Sequence, residues 1–590
     1  MALSRLKLIL SAASATMALS VPSALQAQEV QQPAPSAAVP RVIVFGDSLS
    51  DGGFFNTVLP LPPGEGSFTT NPDPVAPEVF SDLLGYDLNP VYGEGGTNYA
   101  VGGARVTQAN GLAIPIAQQF DNFLAAGGSF APGDIVYVQG GGNDYFAFLA
   151  GGAADPTILT TAATELAALV QRMEEAGADR IVTLAIQSDS AGLDLFNATY
   201  KQALAANNAN VLFFDTAQLF NEIVSNAGAF GITNVTGTAC IGSSLTCGPE
   251  DYVTPNANRT YLQADAVHPA GITQEIQGQA IASLFTGFTL PGSIARSGQR
   301  VIRDQRAMFE TVQRNGLGAG GGAGLFGNIG YSYSSEDGGS NLNQRAVIGT
   351  LGLDYSLSEA VGVGIVGGYS DGDGSYSLND GQLDQESWTV SAYGRAGFGP
   401  LGIIADATYG QGDVAMSRSI LLGPAIRVQD ADTDTELFGA RASVHYTVPV
   451  GLLSVGPEIG VAYERVEVDG FTESGGFSTS LALADAELES LTGRAGLIAT
   501  APLAGGFGFM ARGSYVHEFE DEVNRFTITP SGAPVSYTSS YLFGDDDYGE
   551  IAMGVDGALG AVIVRAGASA EIFRSDGQAV TAYAGLGLRF

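Results

Sequence analysis

Ser48 is the residue of this chain best placed to do chemistry. It lies in Gly46-Asp47-Ser48-Leu49, directly after the apolar run Val42-Ile43-Val44. A strand followed at once by a glycine-framed serine sets a hydroxyl at a strand's carboxyl end, where open α/β sheets bind ligands. A serine hydroxyl is a poor nucleophile unless a neighbouring base takes its proton. The chain has 3 histidines, of which only His268 lies in the first half; His445 and His517 fall in segments of a different texture. A histidine base for Ser48 is therefore His268. Asp265, three residues earlier, can turn back to hold the imidazole and stabilise its cationic form. Two glycine-rich stretches, 95–104 and 140–142, can bring backbone N–H groups up to a developing oxyanion, and Asn143 after the second can add a side-chain donor. Each such donor is worth roughly 3 kcal/mol of transition-state stabilisation. Taken singly, each residue has a plainer reading: Ser48 as a helix cap, His268 as a loop residue before Pro269, Asn143 as a turn former. The set points to acyl transfer through a serine ester.

The elements that must hold these groups follow from periodicity. Short apolar, β-branched runs at 42–45, 135–138, 181–186 and 211–214 predict buried parallel strands. Stretches 160–175, 196–207 and 272–285 have helical spacing, with Leu166, Leu169, Val170 and Met173 on one face of the first. The first half is expected to be an α/β domain over 41–290.

From about residue 324 the texture changes. Segments of about ten residues alternate apolar with small or polar side chains, as in 348–356, 386–395 and 401–409, and turn-forming clusters separate them. About twelve such segments run to residue 590, an even number suited to a closed barrel. A soluble β-sandwich is the alternative. The last strand favours the barrel: Ala582, Ala584, Leu586, Leu588 and the terminal Phe590 share one face at period two. That ending resembles the C-terminal signature of bacterial outer-membrane barrels, whose last strand is read by the insertion machinery.

Between the halves, 293–314 is the most basic stretch, and Arg296, Arg300, Arg303 and Arg306 form one stripe on a helix. A solvated stalk is one reading. The other is a helix threaded through a polar lumen, with the linker spanning 291–323. Asp430, Asp432, Asp434 and Glu436 alternate at period two and are candidates to line that lumen; an exposed loop or weak calcium binding are the rivals.

The amino terminus reads as an export signal over 1–27, with Arg5 and Lys7 before an apolar stretch and small residues before the cut. A Pro- and Ala-rich leader over 28–40 follows. Cys240 and Cys247, with six residues between them, fit a disulfide closing a tight loop in an exported protein, worth roughly 2–3 kcal/mol. A net charge of −36 argues against a nucleic-acid partner.

Signal, α/β passenger, linking helix and C-terminal barrel together resemble a monomeric autotransporter. Within the passenger, the blocks Gly46-Asp47-Ser48-Leu49, Gly96-Thr97-Asn98-Tyr99-Ala100, Gly141-Gly142-Asn143-Asp144 and Asp265-Ala266-Val267-His268 resemble, in order, those of the GDSL (SGNH) hydrolases. The resemblance implies a three-layer α/β/α passenger on a 12-stranded outer-membrane barrel. It implies Ser48 as nucleophile with Asp265 and His268 as its triad partners. The oxyanion hole would comprise the N–H groups of Ser48 and Gly96 and the side chain of Asn143. Neither metal nor organic cofactor is expected. The expected partners are an ester or lipid substrate, outer-membrane lipids and the barrel-insertion machinery. Acyl transfer or phospholipase action from the same site, and an inactive surface adhesin, are the alternatives. One departure from the family pattern is Gly52-Gly53 after Asp51, which alters a loop and no triad position.

Overall fold

The computed structural model describes residues 40–317, 322–336, 341–376, 381–520, 524–541, 546–575 and 577–590. The expected export signal, and the leader before Pro40, lie outside the described residues.

Four strands form a parallel sheet in the order β1 (Val42–Phe45), β2 (Ile135–Val138), β3 (Ile181–Leu184), β4 (Val211–Phe214). Every residue in them is buried, as their unbroken apolar runs require. The free edge of β1 is taken by the glycine-rich stretch: Val44 N–H donates to Thr97 O, Tyr99 N–H to Val44 O, and Val101 N–H to Gly46 O. Among the described residues, seven helices of eight residues or more accompany the sheet: α1 (Ala76–Leu83), α2 (Ile116–Ala125), α3 (Gly142–Ala150), α4 (Thr157–Glu175), α5 (Ala191–Ala206), α6 (Thr216–Ser225) and α7 (Gly271–Gly287). One face of the sheet packs on α2, α4 and α5 through Phe120, Leu166, Val170 and Phe196, and the other on α6 and α7 through Leu219, Ile223, Ile276 and Ile281. The result is three layers. β3 ends at Leu184, short of the 186 read from sequence, because Ile186 turns out to bond Asn197 of α5 through both N–H and C=O. α5 starts early, at Ala191, where the Ser190 hydroxyl accepts Leu193 N–H.

The second half closes into a barrel of twelve antiparallel strands. The first, Gly322–Glu336, pairs with the last, Gly577–Arg589. Burial alternates residue by residue along the strands, so one set of side chains faces the lumen and the other the surroundings. Ile329, Leu351, Ile365, Leu586, Leu588 and Phe590 are among the exposed outer set. An outward apolar surface around a polar interior is how a barrel crosses a membrane. At one end the strands join through short turns; at the other, longer connections carry a small sheet of Phe471–Thr472, Leu481–Leu483, Asn524–Pro530 and Tyr537–Tyr541. The passenger sits on that second end: Asn210 Nδ2 donates to Thr538 O, Gln218 Nε2 to Gly476 O, and Arg427 pairs with Glu222 at 2.8 Å.

Helix α8 (Leu290–Asn315) runs inside the barrel. Its stripe is met by carboxylates from separate strands: Arg300 and Arg303 by Glu571, Arg303 and Arg306 by Glu464, Arg306 also by Asp406. The sequence-based candidates for this role are corrected. Asp430, Asp432, Asp434 and Glu436 face outward, because Gln429, Thr433, Thr435 and Leu437 take the inward parity of that strand.

Candidate active site

β1 ends at Phe45, and the next residues turn sharply under local restraints. The Gln119 amide of α2 clamps Gly46 from both sides, accepting its N–H at 2.9 Å and donating to its C=O at 2.8 Å. The Asp47 carboxylate accepts Leu49 N–H at 3.0 Å. These bonds raise Ser48 at the strand's carboxyl end, where it is only 8% exposed. Burial pushes the Asp47 carboxyl up to about 6, against the opposing effect of the Leu49 N–H and of His268.

His268 arrives from the far end of the passenger sequence, on the turn before α7. Its Nε2 lies 2.9 Å from Ser48 Oγ. Its Nδ1 lies 2.9 and 3.0 Å from the two Asp265 oxygens. Asp265 also accepts the N–H groups of Val267 and His268, both at 2.9 Å, and that of Ser244 at 2.9 Å. Burial alone would push the Asp265 carboxyl up, but His268 and Ser244 more than offset it and hold the group well below the usual carboxylate range. The Ser48, Asp265 and His268 side chains thus form one hydrogen-bonded series.

The donors expected around Ser48 are Gly96 and Asn143. Gly96 N–H is already bound to Pro90 O at 3.1 Å, and Gly96 lies near the start of β1. Pairing along β1 runs through Val44 with Tyr99 to Gly46 with Val101, and Gly103 follows two residues beyond, as Ser48 follows Gly46. Gly103 has φ +82° and its N–H has no hydrogen-bond partner among the described residues. The neighbouring Gly102 N–H is taken by Asp51 at 2.8 Å, which ties the serine turn to the glycine strand. Burial pushes the Asp51 carboxyl up to about 6, opposed by the N–H groups of Gly53, Phe54 and Gly102. Asn143 opens α3, and its Nδ2 donates to Ala104 O at 3.0 Å, beside Gly103. An amide NH₂ keeps a second hydrogen free when one is so used.

The wall beside His268 is aromatic. Phe68 lies with its ring centroid 4.9 Å from the imidazole, and Phe55 lies 5.6 Å from Phe68. Cys240 and Cys247 are joined by a disulfide. The carboxylates that come together at Glu65, Glu250 and Asp251 include no residue of the Ser48 set.

This geometry can be set beside known proteins. Residues 42–281 match the family model for GDSL-like lipases and acylhydrolases, and residues 323–570 that for autotransporter β-domains. The chain is a GDSL-like hydrolase on an autotransporter barrel. It lies in the outer membrane with the hydrolase at the surface, and by family it is a carboxylic ester hydrolase. Esterase EstA of Pseudomonas aeruginosa is 26% identical over 563 residues, covering 84% of this chain and 86% of that one. Lipase 1 of Photorhabdus luminescens is 23% identical over 642 residues, covering 91% and 93%. Among solved structures, the translocator domain of the autotransporter NalP from Neisseria meningitidis matches at 17% identity and TM-score 0.42, covering 51% of this chain and 98% of that one.

Proposed function

We propose that the autotransporter hydrolase cleaves carboxylic esters bearing an apolar group through a covalent intermediate on Ser48. The observation that carries this reading is the 2.9 Å contact between Ser48 Oγ and His268 Nε2, backed by Asp265 on the other ring nitrogen. His268 takes the hydroxyl proton as Oγ attacks the ester carbonyl, and returns it to the departing alcohol. Asp265 keeps Nδ1 protonated and stabilises the cation that forms. The carbonyl oxygen becomes an oxyanion held by Ser48 N–H, Gly103 N–H and the free hydrogen of Asn143 Nδ2. Water, activated by His268, then releases the acid. Phe55 and Phe68 provide an apolar surface for one side of the substrate.

The enzyme works as a monomer. The outer-membrane assembly machinery inserts the barrel, a role supported by the outward period-two face that ends on Phe590. The test uses purified full-length protein with p-nitrophenyl esters. Ser48→Ala and His268→Ala are each expected to lose all but a residual activity, and a fluorophosphonate is expected to label the parent but not Ser48→Ala. Parent-like turnover in either variant would overturn the mechanism.

A further inference from the structure

Ser244 is a fully buried serine beside the triad. It is 0% exposed although it sits in the short loop between Cys240 and Cys247, with no helix or strand longer than a single turn around it. Its N–H donates to Asp265 Oδ2 at 2.9 Å, and its hydroxyl lies 3.1 Å from His268 Nδ1. A buried amide and hydroxyl need partners, and Ser244 finds its own in the Asp265 carboxylate and the His268 ring.

The loop itself is fastened on every side. The disulfide joins its two ends. Cys240 N–H donates to Ala264 O at 2.9 Å, the residue just before Asp265. On the other flank, Asn71 Nδ2 donates to Ser244 O at 2.7 Å, Asn71 N–H to Cys247 O at 2.9 Å, and Gly66 N–H to Leu245 O at 3.0 Å. The loop therefore has little freedom to move Ser244 away from the acid.

We infer that Ser244 is a positioning residue of the catalytic machinery, and that the Cys240–Cys247 loop is the frame that holds it against Asp265 and His268. This rests on the proposed roles of Asp265 and His268. An Asp265 oxygen left without donors could turn toward other groups, and the imidazole would follow it. Ser244 takes up that freedom: its backbone pins one oxygen, and its hydroxyl occupies the space beside Nδ1. Misorientation of an imidazole affects the proton-transfer step, not the binding of ester. The disulfide thus serves turnover as well as stability.

The test compares Ser244→Ala, Ser244→Thr and the double variant Cys240→Ser/Cys247→Ser in the full-length chain, with Ser48→Ala as reference. Hydrogen bonds to charged groups of this kind correspond to about a tenfold to hundredfold change in rate. Ser244→Ala is expected to lower kcat by that factor with KM within about twofold, and Ser244→Thr, which keeps the hydroxyl, to recover most of it. The double variant is expected to lower kcat while the barrel still resists SDS at room temperature, which separates the loop's effect from global unfolding. If Ser244→Ala and the double variant both keep parental kcat while Ser48→Ala is dead, the inference fails and the triad stands. If Ser48→Ala turns over like the parent, the triad itself is wrong.

Discussion

Replacing Asn143 with alanine tests the oxyanion hole at its side-chain member. One Nδ2 hydrogen is fixed on Ala104 O at 3.0 Å, and the proposed mechanism gives the other to the developing oxyanion. Losing an oxyanion donor typically costs about a hundredfold to a thousandfold in kcat, or about 3–4 kcal/mol. Losing the anchor on Ala104 costs about 1 kcal/mol of stability, which for a domain of this size lowers Tm by about 2–4 °C. The two effects are separable. Stopped assays of p-nitrophenyl ester hydrolysis should show kcat down by at least a hundredfold with KM within about twofold, while the thermal midpoint moves by only a few degrees. Activity should not vanish, because Ser48 N–H and Gly103 N–H remain. A kcat loss smaller than tenfold would refute the assignment of Asn143, and a loss proportional to the unfolded fraction would reduce its role to structure.

Three further outcomes are expected. Burial pushes the Glu78 carboxyl up to about 7, the Val75 N–H opposing; the folded state therefore binds that proton more tightly than the unfolded chain, and stability falls as pH rises from about 4.5 to about 7. Glu78→Gln should reduce that slope in pH-dependent thermal melts, leaving the part due to Asp47 and Asp51, and gain up to about 3 kcal/mol at pH 8; an unchanged slope would contradict it. Arg306 is 4% exposed between Asp406 and Glu464, so Arg306→Met leaves two buried carboxylates short of a partner; heat-modifiability gels should show the barrel opening at a lower temperature, by the equivalent of about 3–5 kcal/mol. In Gly96→Ala a Cβ would collide with the Asn89 carbonyl, so the thermal midpoint should drop while the folded fraction keeps its kcat. A specific fall in the kcat of that folded fraction would restore Gly96 to the oxyanion hole.

What could be read from the sequence was whatever is written contiguously. Asp265 and His268 stand three residues apart, and Ser48 stands beside its own strand, so chemistry and spacing meet in short blocks. Gly96 was read as a donor, and Gly103 was not considered, because nothing local says how far along β1 the glycine stretch will pair. The signal is a register, and the Val44 to Tyr99 pairing fixes it only once the strand has folded. The acidic run from Asp430 to Glu436 gave the right periodicity and the wrong face. Phe438, of the same parity and exposed, was the available clue that this face looks outward. The carboxylates that meet Arg300, Arg303 and Arg306 from the barrel wall, Asp406, Glu464 and Glu571, come one from each of three strands and form no pattern along the chain. Ser244 was invisible for the same reason, since its partners lie 21 and 24 residues away.

Helix α7 is buried around nearly its whole circumference, which is why its sequence shows so little amphipathic pattern. Part of that cover comes from the barrel's tallest hairpin, Leu401–Leu422 with Ala425–Tyr446. Gly423 at its tip abuts Ile272 and Ile276 and donates its N–H to Gln279, while Arg418 lower down bonds Ser283 O. Ile420 and Leu422 on the inner face of that hairpin are almost wholly covered. For anyone wishing to display a foreign cargo on this barrel, the seam is therefore not where the passenger's last helix meets α8. A graft made there would strip Ile420 and Leu422 of their apolar cover and leave a tall, sticky hairpin at the cell surface. A graft that keeps α7 and replaces only what precedes Gly271 leaves the barrel its own lid.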